Sequence, residues 1–379
     1  MVSSRKISSN CRKSSHARAI SFDLDRFVKD LRKFIGQDLY GSDSSSVEPL
    51  SAQERRVLST LEATTRLTHG PAGTRYEVRI LWRDADPNLP DNYRQALRRF
   101  YAQEARLLNN PELAKKCSKA MQELHDLGHV RKLTPAELAT GTPGRTWYNP
   151  CHPVINPNKP DKFRMVFYFT ALFDGVSINS KILKGPNLLS NLVSVMLRFR
   201  RYRVGLMADI TKMFHQVRVR PEDASAYRYF WREPSSADQP DVFEFLAHLF
   251  GATSSPAVCS YALQRAVKDS EPYAEELLEQ VKDQFYMDNW TTSFGDTQEA
   301  VKIGRLMIDA RKRAGFELSQ FASSVPEIFK ELGVSVDLAD SVDLPLEKEA
   351  TERFLGFIWS WAHDTLKDLD PRCNEARTA

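Results

Sequence analysis

Apolar positions follow a helical period near the start of the chain and give way to short β-prone runs further on. Phe22, Leu24, Phe27, Val28, Leu31, Phe34 and Ile35 mark a first helix. Ser51-Ala-Gln-Glu54 is a capping box that opens a second one, because hydroxyl and carboxylate can each satisfy the other residue's free backbone N–H. Two more helices are expected after the proline-rich segment around Pro87 and Pro90. The later of them has Asn110 as N-cap, Pro111 in the first turn, Leu113, Cys117, Met121 and Leu124 on one face, and Gly128 past its end. Val154-Ile155 and the run from Phe163 to Phe169 flank the turn-forming Asn156-Pro-Asn-Lys-Pro-Asp161, which predicts a hairpin.

The pattern then predicts a helix from about Leu188 to Phe199, strands from Arg203 to Ala247, and a helix from Ser255 to about Val281. Such a mixture is an α+β fold. Two acids stand where strands end. Val204 to Ala208 is a continuous apolar run, as a buried strand requires, and Asp209 closes it. Phe285-Tyr286 leads through Met287-Asp288-Asn289-Trp290 into Thr291 and Thr292, a tight hairpin with Asp288 at its tip.

Composition adds bounds rather than direction. With 379 residues, 42% hydrophobic and 27% charged, the chain is long enough for two or three subdomains. A net charge of +4 permits a nucleic-acid partner without requiring one. Five scattered cysteines, Cys11, Cys117, Cys151, Cys259 and Cys373, support neither a disulfide framework nor a zinc site, and point to a reducing, cytoplasmic setting. No apolar run approaches the ~18 residues of a membrane span, so a soluble protein with no membrane partner is expected. Residues 1 to 18 carry five basic residues, six serines and no acid, the composition of a disordered tail or, less fittingly, a transit peptide. The segment from Gly41 to Pro49 is linker-like.

Paired acids at strand ends suit metal-dependent nucleotidyl transfer, in which hard divalent cations prefer carboxylate oxygens. Taken singly, an Asp after a strand is most often a turn or helix-cap residue. The surrounding residues are more specific. Ala208-Asp209-Ile-Thr-Lys-Met-Phe214-His215-Gln216-Val217, Leu249-Phe250-Gly251-Ala252-Thr-Ser-Ser255-Pro256-Ala257 and Phe285-Tyr286-Met287-Asp288-Asn289 stand in this order along the chain. Together they resemble three successive motifs of reverse transcriptases, in the form found in BEL/Pao long-terminal-repeat retrotransposons. The resemblance runs from about Leu50 to Trp359. It takes in Leu89-Pro90-Asp91-Asn92-Tyr93, Trp147-Tyr148, Cys151-His152-Pro153-Val154, Leu183-Lys184-Gly185-Pro186-Asn187, Gly315-Phe316-Glu317-Leu318-Ser319 and Phe354-Leu355-Gly356-Phe357-Ile358-Trp359.

What the resemblance implies is a right-hand polymerase fold with fingers and a palm, the palm an antiparallel sheet with helices packed on one face. It divides the chain into a basic tail (1–20), linker and helices (21–90), fingers and palm (91–335), and a primer-grip strand with the start of a truncated thumb or connection (336–379). Asp209 and Asp288 become metal ligands, joined by Asn289, with Mg²⁺ as cofactor and Mn²⁺ as a substitute. Phe214 becomes the residue that closes the sugar pocket, Lys162 and Arg164 the cations that meet the triphosphate, and Gly251 a point of close approach to the incoming base pair. Tyr286 would lie near the primer end. The implied partners are an RNA or DNA template with its primer and deoxyribonucleoside triphosphates; oligomeric state is left open.

Each of these positions has a bland reading beside the functional one: Phe214 and Tyr286 as core packing, Lys162 and Arg164 as a solvated hairpin face, and Gly251 as a turn glycine. The run Arg198-Phe199-Arg200-Arg201-Tyr202-Arg203 reads equally as a phosphate track or an ordinary helix end. The sequence also departs from the pattern. Asn289 replaces the second aspartate of the hairpin, and Tyr168 stands where the family has an aspartate. No Asp-Ser-Gly or Asp-Thr-Gly protease motif occurs, and the reading expects a fragment of a longer polyprotein. Two rivals follow: a catalytically degenerate copy that folds and binds nucleic acid, and a viral RNA-directed RNA polymerase, which the hairpin and the Leu355-Gly-Phe-Ile-Trp359 strand disfavour.

Overall fold

The computed structural model describes residues 50–379 apart from 71–72, 140–141, 157–158, 235, 271–276, 278–283, 335–350, 355–356, 361–364 and 369–379. The described residues all belong to one compact unit, Leu50–Ala379. The expected helix from Phe22 to Ile35 and the basic tail lie outside the described residues. Helix α1 (Ala52–Thr64) opens on the expected capping box, Ser51 Oγ accepting from Glu54 N at 3.2 Å while the Glu54 carboxylate accepts from Ser51 N at 2.9 Å. Strands β1 (Arg66–Gly70) and β2 (Gly73–Val78) follow as a hairpin. Then come α2 (Tyr93–Leu108), α3 (Pro111–Asp126), β3 (Val130–Lys132), β4 (Cys151–Asn156), β5 (Lys159–Phe167), α4 (Leu192–Phe199) and β6 (Val204–Ile210). The remainder is β7 (Arg218–Val219), β8 (Arg228–Trp231), β9 (Asp241–Phe245), α5 (Ser255–Lys268), β10 (Phe285–Tyr286), β11 (Asn289–Phe294), α6 (Thr297–Arg313), β12 (Leu318–Ser323) and β13 to β15 (Thr351–Phe354, Phe357–Ser360, Thr365–Asp368).

The sheet that matters is four-stranded and antiparallel, in the order β10-β11-β6-β12. Its register divides the side chains cleanly, since residues directly opposite share a face and neighbours along a strand alternate. Trp290, Thr292 and Phe294 oppose Ala208, Leu206 and Val204, and the apolar residues among them pack into one core with α5 and α6 through Val258, Ala262, Ile303 and Met307. Asn289, Thr291 and Ser293 oppose Asp209, Met207 and Gly205 on the other face. That face is covered too: Met207 packs with Met196 and Phe199 of α4, Ala322 and Trp359. Gly205 makes room for them, because a Cβ there would stand 3.0 Å from the Trp359 ring and 3.2 Å from Phe199. The expectation of helices on a single face is therefore corrected: α5 and α6 line one side and α4 the other. The helix expected to reach Val281 also ends earlier, at Lys268, with Asp269 as its cap.

A second core gathers α2, α3, β3, β8 and β9 around Phe100, Met121, Trp147, Tyr229 and Phe245. Asp223 ties the chain after β2 to it. Its carboxylate is fully buried and accepts from Arg79 Nε and Nη2 (both 3.1 Å), Ile80 N (3.1 Å) and Trp82 Nε1 (2.9 Å), with Arg145 3.6 Å away. Every approach is a donor. Asp223→Asn keeps the shape, but whichever way the amide turns, its NH₂ meets donors and the Arg79 guanidinium loses its counter-charge. We expect destabilisation of about 1–3 kcal/mol, the cost of leaving donors around a buried acceptor unsatisfied, since the Arg79 side chain is 35% exposed and only partly dependent on the pair. Urea denaturation of the two proteins measures it; a loss under 1 kcal/mol would show that Asp223 is not the tie described.

Among the described residues Cys117, Cys151 and Cys259 are free thiols, and no helix is long and apolar enough to cross a membrane.

Candidate active site

The end of β6 and the turn of the β10–β11 hairpin come together at one end of the four-stranded sheet. Tyr286 pairs with Asn289, so Met287 and Asp288 are the two loop residues. Only Met287 takes positive φ, 58°, the disposition of a two-residue loop whose first position favours glycine. A methionine there costs roughly 1–2 kcal/mol of backbone strain. The tip is fastened to β6 by Ile210 N, which donates to the Asp288 carbonyl at 2.8 Å. Asn289 lies directly opposite Asp209 on the shared face, and all three side chains, Asp209, Asp288 and Asn289, are half-buried.

Sequence reasoning had the strands and the tip; it did not foresee how the amide would be used. Asn289 Nδ2 donates to Asp288 Oδ1 at 3.1 Å. A carboxylate only accepts, so this contact turns the NH₂ of Asn289 toward Asp288 and its carbonyl oxygen away. On the other side of Asp209 stands Ser319 of β12, whose hydroxyl accepts from Thr211 Oγ1 at 2.8 Å and lies 3.5 Å from the Asp209 carbonyl. Ser319 lies within Gly315-Phe316-Glu317-Leu318-Ser319, where no local pattern gives it a role. A bulge follows it, with Gln320 at φ 51°.

Two carboxylates and an amide oxygen at one end of the sheet are hard oxygen donors, which suits Mg²⁺ or Mn²⁺. The set supplies two formal charges. Among the described residues no group of three or more His, Cys, Asp or Glu is placed to hold a metal ion. The site carries two acids and a neutral third residue.

Beyond Asp209 the chain turns sharply: Lys212 adopts φ 48°, ψ 46° as the cap of the 3₁₀ turn Met213–Gln216, and its ammonium pairs with Glu123. Phe214 is half-buried, edge-on to Phe250 at 5.9 Å, and Phe250 is 68% exposed. His215 packs against His129 at 5.0 Å, and burial, with His129 and Lys212 adding to it, pushes its imidazole down to about 3. It is neutral at physiological pH and offers no proton there.

The other expected residues fall elsewhere. Lys162 and Arg164 are on β5, in the separate β4–β5 hairpin, with Arg164 exposed opposite Val154. Tyr168, just past that strand, is half-exposed against His152 at 4.3 Å. Gly251 has a local reason to be glycine: φ is 103°, and a Cβ would sit 3.3 Å from the Phe167 carbonyl. The arginine run closes α4 as a pinned helix end. Ser293 Oγ donates to the Arg198 carbonyl and accepts from Tyr202 N, Arg203 Nε donates to the Gly295 carbonyl, and Arg201 lies over the Tyr202 ring.

No protein-family model matches the chain, and no curated protein does. Several solved structures are similar. One is foamy viral protease-reverse transcriptase in complex with an RNA/DNA hybrid, at 13% identity, covering 88% of this chain and 35% of that one with a TM-score of 0.45. The double-stranded DNA complex of the foamy viral protein aligns at 15% identity over 56% and 32% of the two chains, TM-score 0.39. A mutant of prototype foamy virus protease-reverse transcriptase aligns at 18% over 55% and 24%, TM-score 0.41. The chain spans about a third or less of the length of these proteins. The likeness is coarse and gives no residue a role.

Proposed function

We propose that the chain is a retroelement reverse transcriptase of BEL/Pao type, which extends a primer on an RNA or DNA template with deoxyribonucleoside triphosphates. The observation that carries the reading is the register that sets Asn289 opposite Asp209 with Asp288 at the adjoining tip. In this reading the four-stranded sheet is the palm and the β4–β5 hairpin belongs to the fingers. Asp209 and Asp288 hold divalent metal, Mg²⁺ or Mn²⁺, with Asn289 as a neutral neighbour. When bound, the metal lowers the barrier to attack by the primer 3′-hydroxyl and offsets charge on the departing pyrophosphate. Phe214 borders the sugar, and the cations Lys162 and Arg164 meet the triphosphate with charge-assisted hydrogen bonds. Gly251 keeps the backbone beside the base pair free of a side chain.

A second reading, a folded relic that binds nucleic acid without polymerising, is favoured by the Asn289 amide, which engages Asp288 Oδ1 and brings no charge. One experiment separates the two. Mg²⁺ dehydrates reluctantly and is usually held through carboxylates, so the natural protein should extend weakly with Mg²⁺ and better with Mn²⁺. Asn289→Asp restores the charge and removes the donor beside Asp288. We expect Mg²⁺-dependent extension to rise about tenfold or more, equivalent to ~1.4 kcal/mol at the transition state. Silence from both proteins in either metal, with circular dichroism of a folded chain, would leave the relic.

A further inference from the structure

On the α5–α6 side of the four-stranded sheet, directly under the hairpin, α6 presents Arg311 with none of its surface exposed. Its surroundings are unusual for an arginine. Nη1 donates to the Leu263 carbonyl of α5 at 2.7 Å, while Nε and Nη2 are buried with no hydrogen-bond partner. Among the described residues it forms no ion pair. The nearby Tyr76 hydroxyl donates to Asp269, a carboxylate that Arg265 also engages. The guanidinium instead lies over the face of Phe285, 4.9 Å from the ring centroid. Phe285 is stacked in turn on Trp290, its cross-strand partner, at 6.4 Å and 18°. Arg311, Phe285 and Trp290 therefore form one column that spans both strands of the hairpin. The next residue pair is Tyr286 and Asn289, and Asp288 lies in the loop between them.

Burial pushes the guanidinium down to about 9, still protonated at neutral pH. A buried cation without a counter-ion carries a desolvation cost that an apolar side chain of similar volume does not. What the cation gains here is the negative face of an aromatic ring in a dry site, where that attraction is strongest. The ring it holds belongs to the shortest strand of the sheet, which pairs through only two residues.

We propose that Arg311 is a positioning residue: its guanidinium, fixed by the Leu263 carbonyl, grips Phe285 and so sets where the hairpin holds Asp288 and Asn289 against Asp209. The mechanical part stands on the geometry alone. Its consequence for metal binding rests on the polymerase reading above.

Amide hydrogen exchange and Mn²⁺ titration, each on the full chain, test the two parts separately. Arg311→Met fills the space with a flexible apolar side chain and removes charge and donors. The melting temperature should hold or rise, while the amides of Thr291 and Ile210, which close the hairpin, exchange about tenfold faster. Mn²⁺ affinity should fall about tenfold, and Arg311→Lys, which keeps the charge, should recover part of both. A residue that merely packs would change exchange over the whole core or nowhere. Unchanged exchange at the hairpin in a folded Arg311→Met protein overturns the proposal. Should that variant fail to fold, Phe285→Leu removes the ring face while leaving Arg311 in place; the same local loosening supports the grip, and its absence refutes it. Faster hairpin exchange in Arg311→Met, with a natural protein that binds no Mn²⁺, would keep the grip and reject the metal reading instead.

Discussion

Asp209→Asn should reduce metal-dependent primer extension about a thousandfold and leave the fold nearly untouched. The first effect follows from charge. The site holds two carboxylates, and this change leaves Asp288 as the only one of the three facing groups with a formal charge, between two amides. A thousandfold corresponds to ~4 kcal/mol at the transition state, the scale on which a metal-binding charge acts. The second effect follows from the backbone, since Asp209 pairs with Asn289 and Ser319 through main-chain groups that asparagine retains. Melting temperature should therefore move little, within the ~0.5 kcal/mol typical of changes away from a core. Extension by Asp209→Asn at the rate of the natural protein would remove Asp209 from the proposed site.

The contrast between β6 and the residues around it shows what sequence can convey. Val204 to Ala208 is apolar at every position, where a sheet with one solvated face would alternate. The uninterrupted run already implied two covered faces, and α4 with Trp359 covers the second. The family analogy had suggested one, so the residues were the better guide. By contrast, β1 and β2 carry mostly polar residues and escape a search for apolar runs, although Gly70-Pro-Ala-Gly73 between Leu67 and Tyr76 is a turn signal that could have revealed them. The contacts that fix the second core and the hairpin were further out of reach. Asp223 meets Arg79 and Trp82 across more than 140 positions, and Arg311 meets Phe285 across a sheet and a helix. No local pattern announces either. The Asn289 substitution was visible, but its hydrogen bond to Asp288 depends on a loop geometry with positive φ at Met287.

Acid should unfold this protein earlier than its carboxylates alone would. Burial pushes His129 and His248 down to about 4, and His215, with His129 and Lys212 adding like charge, to about 3. His248 has no exposed surface, its Nε2 lies 3.2 Å from the Val78 carbonyl, and its Nδ1 is buried without a partner. Each ring is therefore held neutral. In the unfolded chain a histidine takes up its proton near pH 6.5, so between about 6.5 and 4 the unfolded state binds more protons and stability falls as pH falls. Each contributes about 1.4 kcal/mol per pH unit in that window, and the three together ~4. Against a total stability of about 5–15 kcal/mol, that slope removes much of the fold before pH 4.5. Carboxylates act lower. Glu137, drawn down to about 2 by the Thr134 N–H and by Arg131, loses its contribution only as pH falls below the ordinary carboxylate range. Urea denaturation from pH 7.5 to 5 should show a slope that steepens from about a third of a proton at pH 7.5 to nearly three at pH 5. His248→Gln, whose amide can still donate to Val78, should lower the value at pH 5 by about one. A midpoint that does not move between pH 7 and 5, or a slope unchanged in His248→Gln, would mean that these imidazoles are not the buried neutral groups the packing makes them.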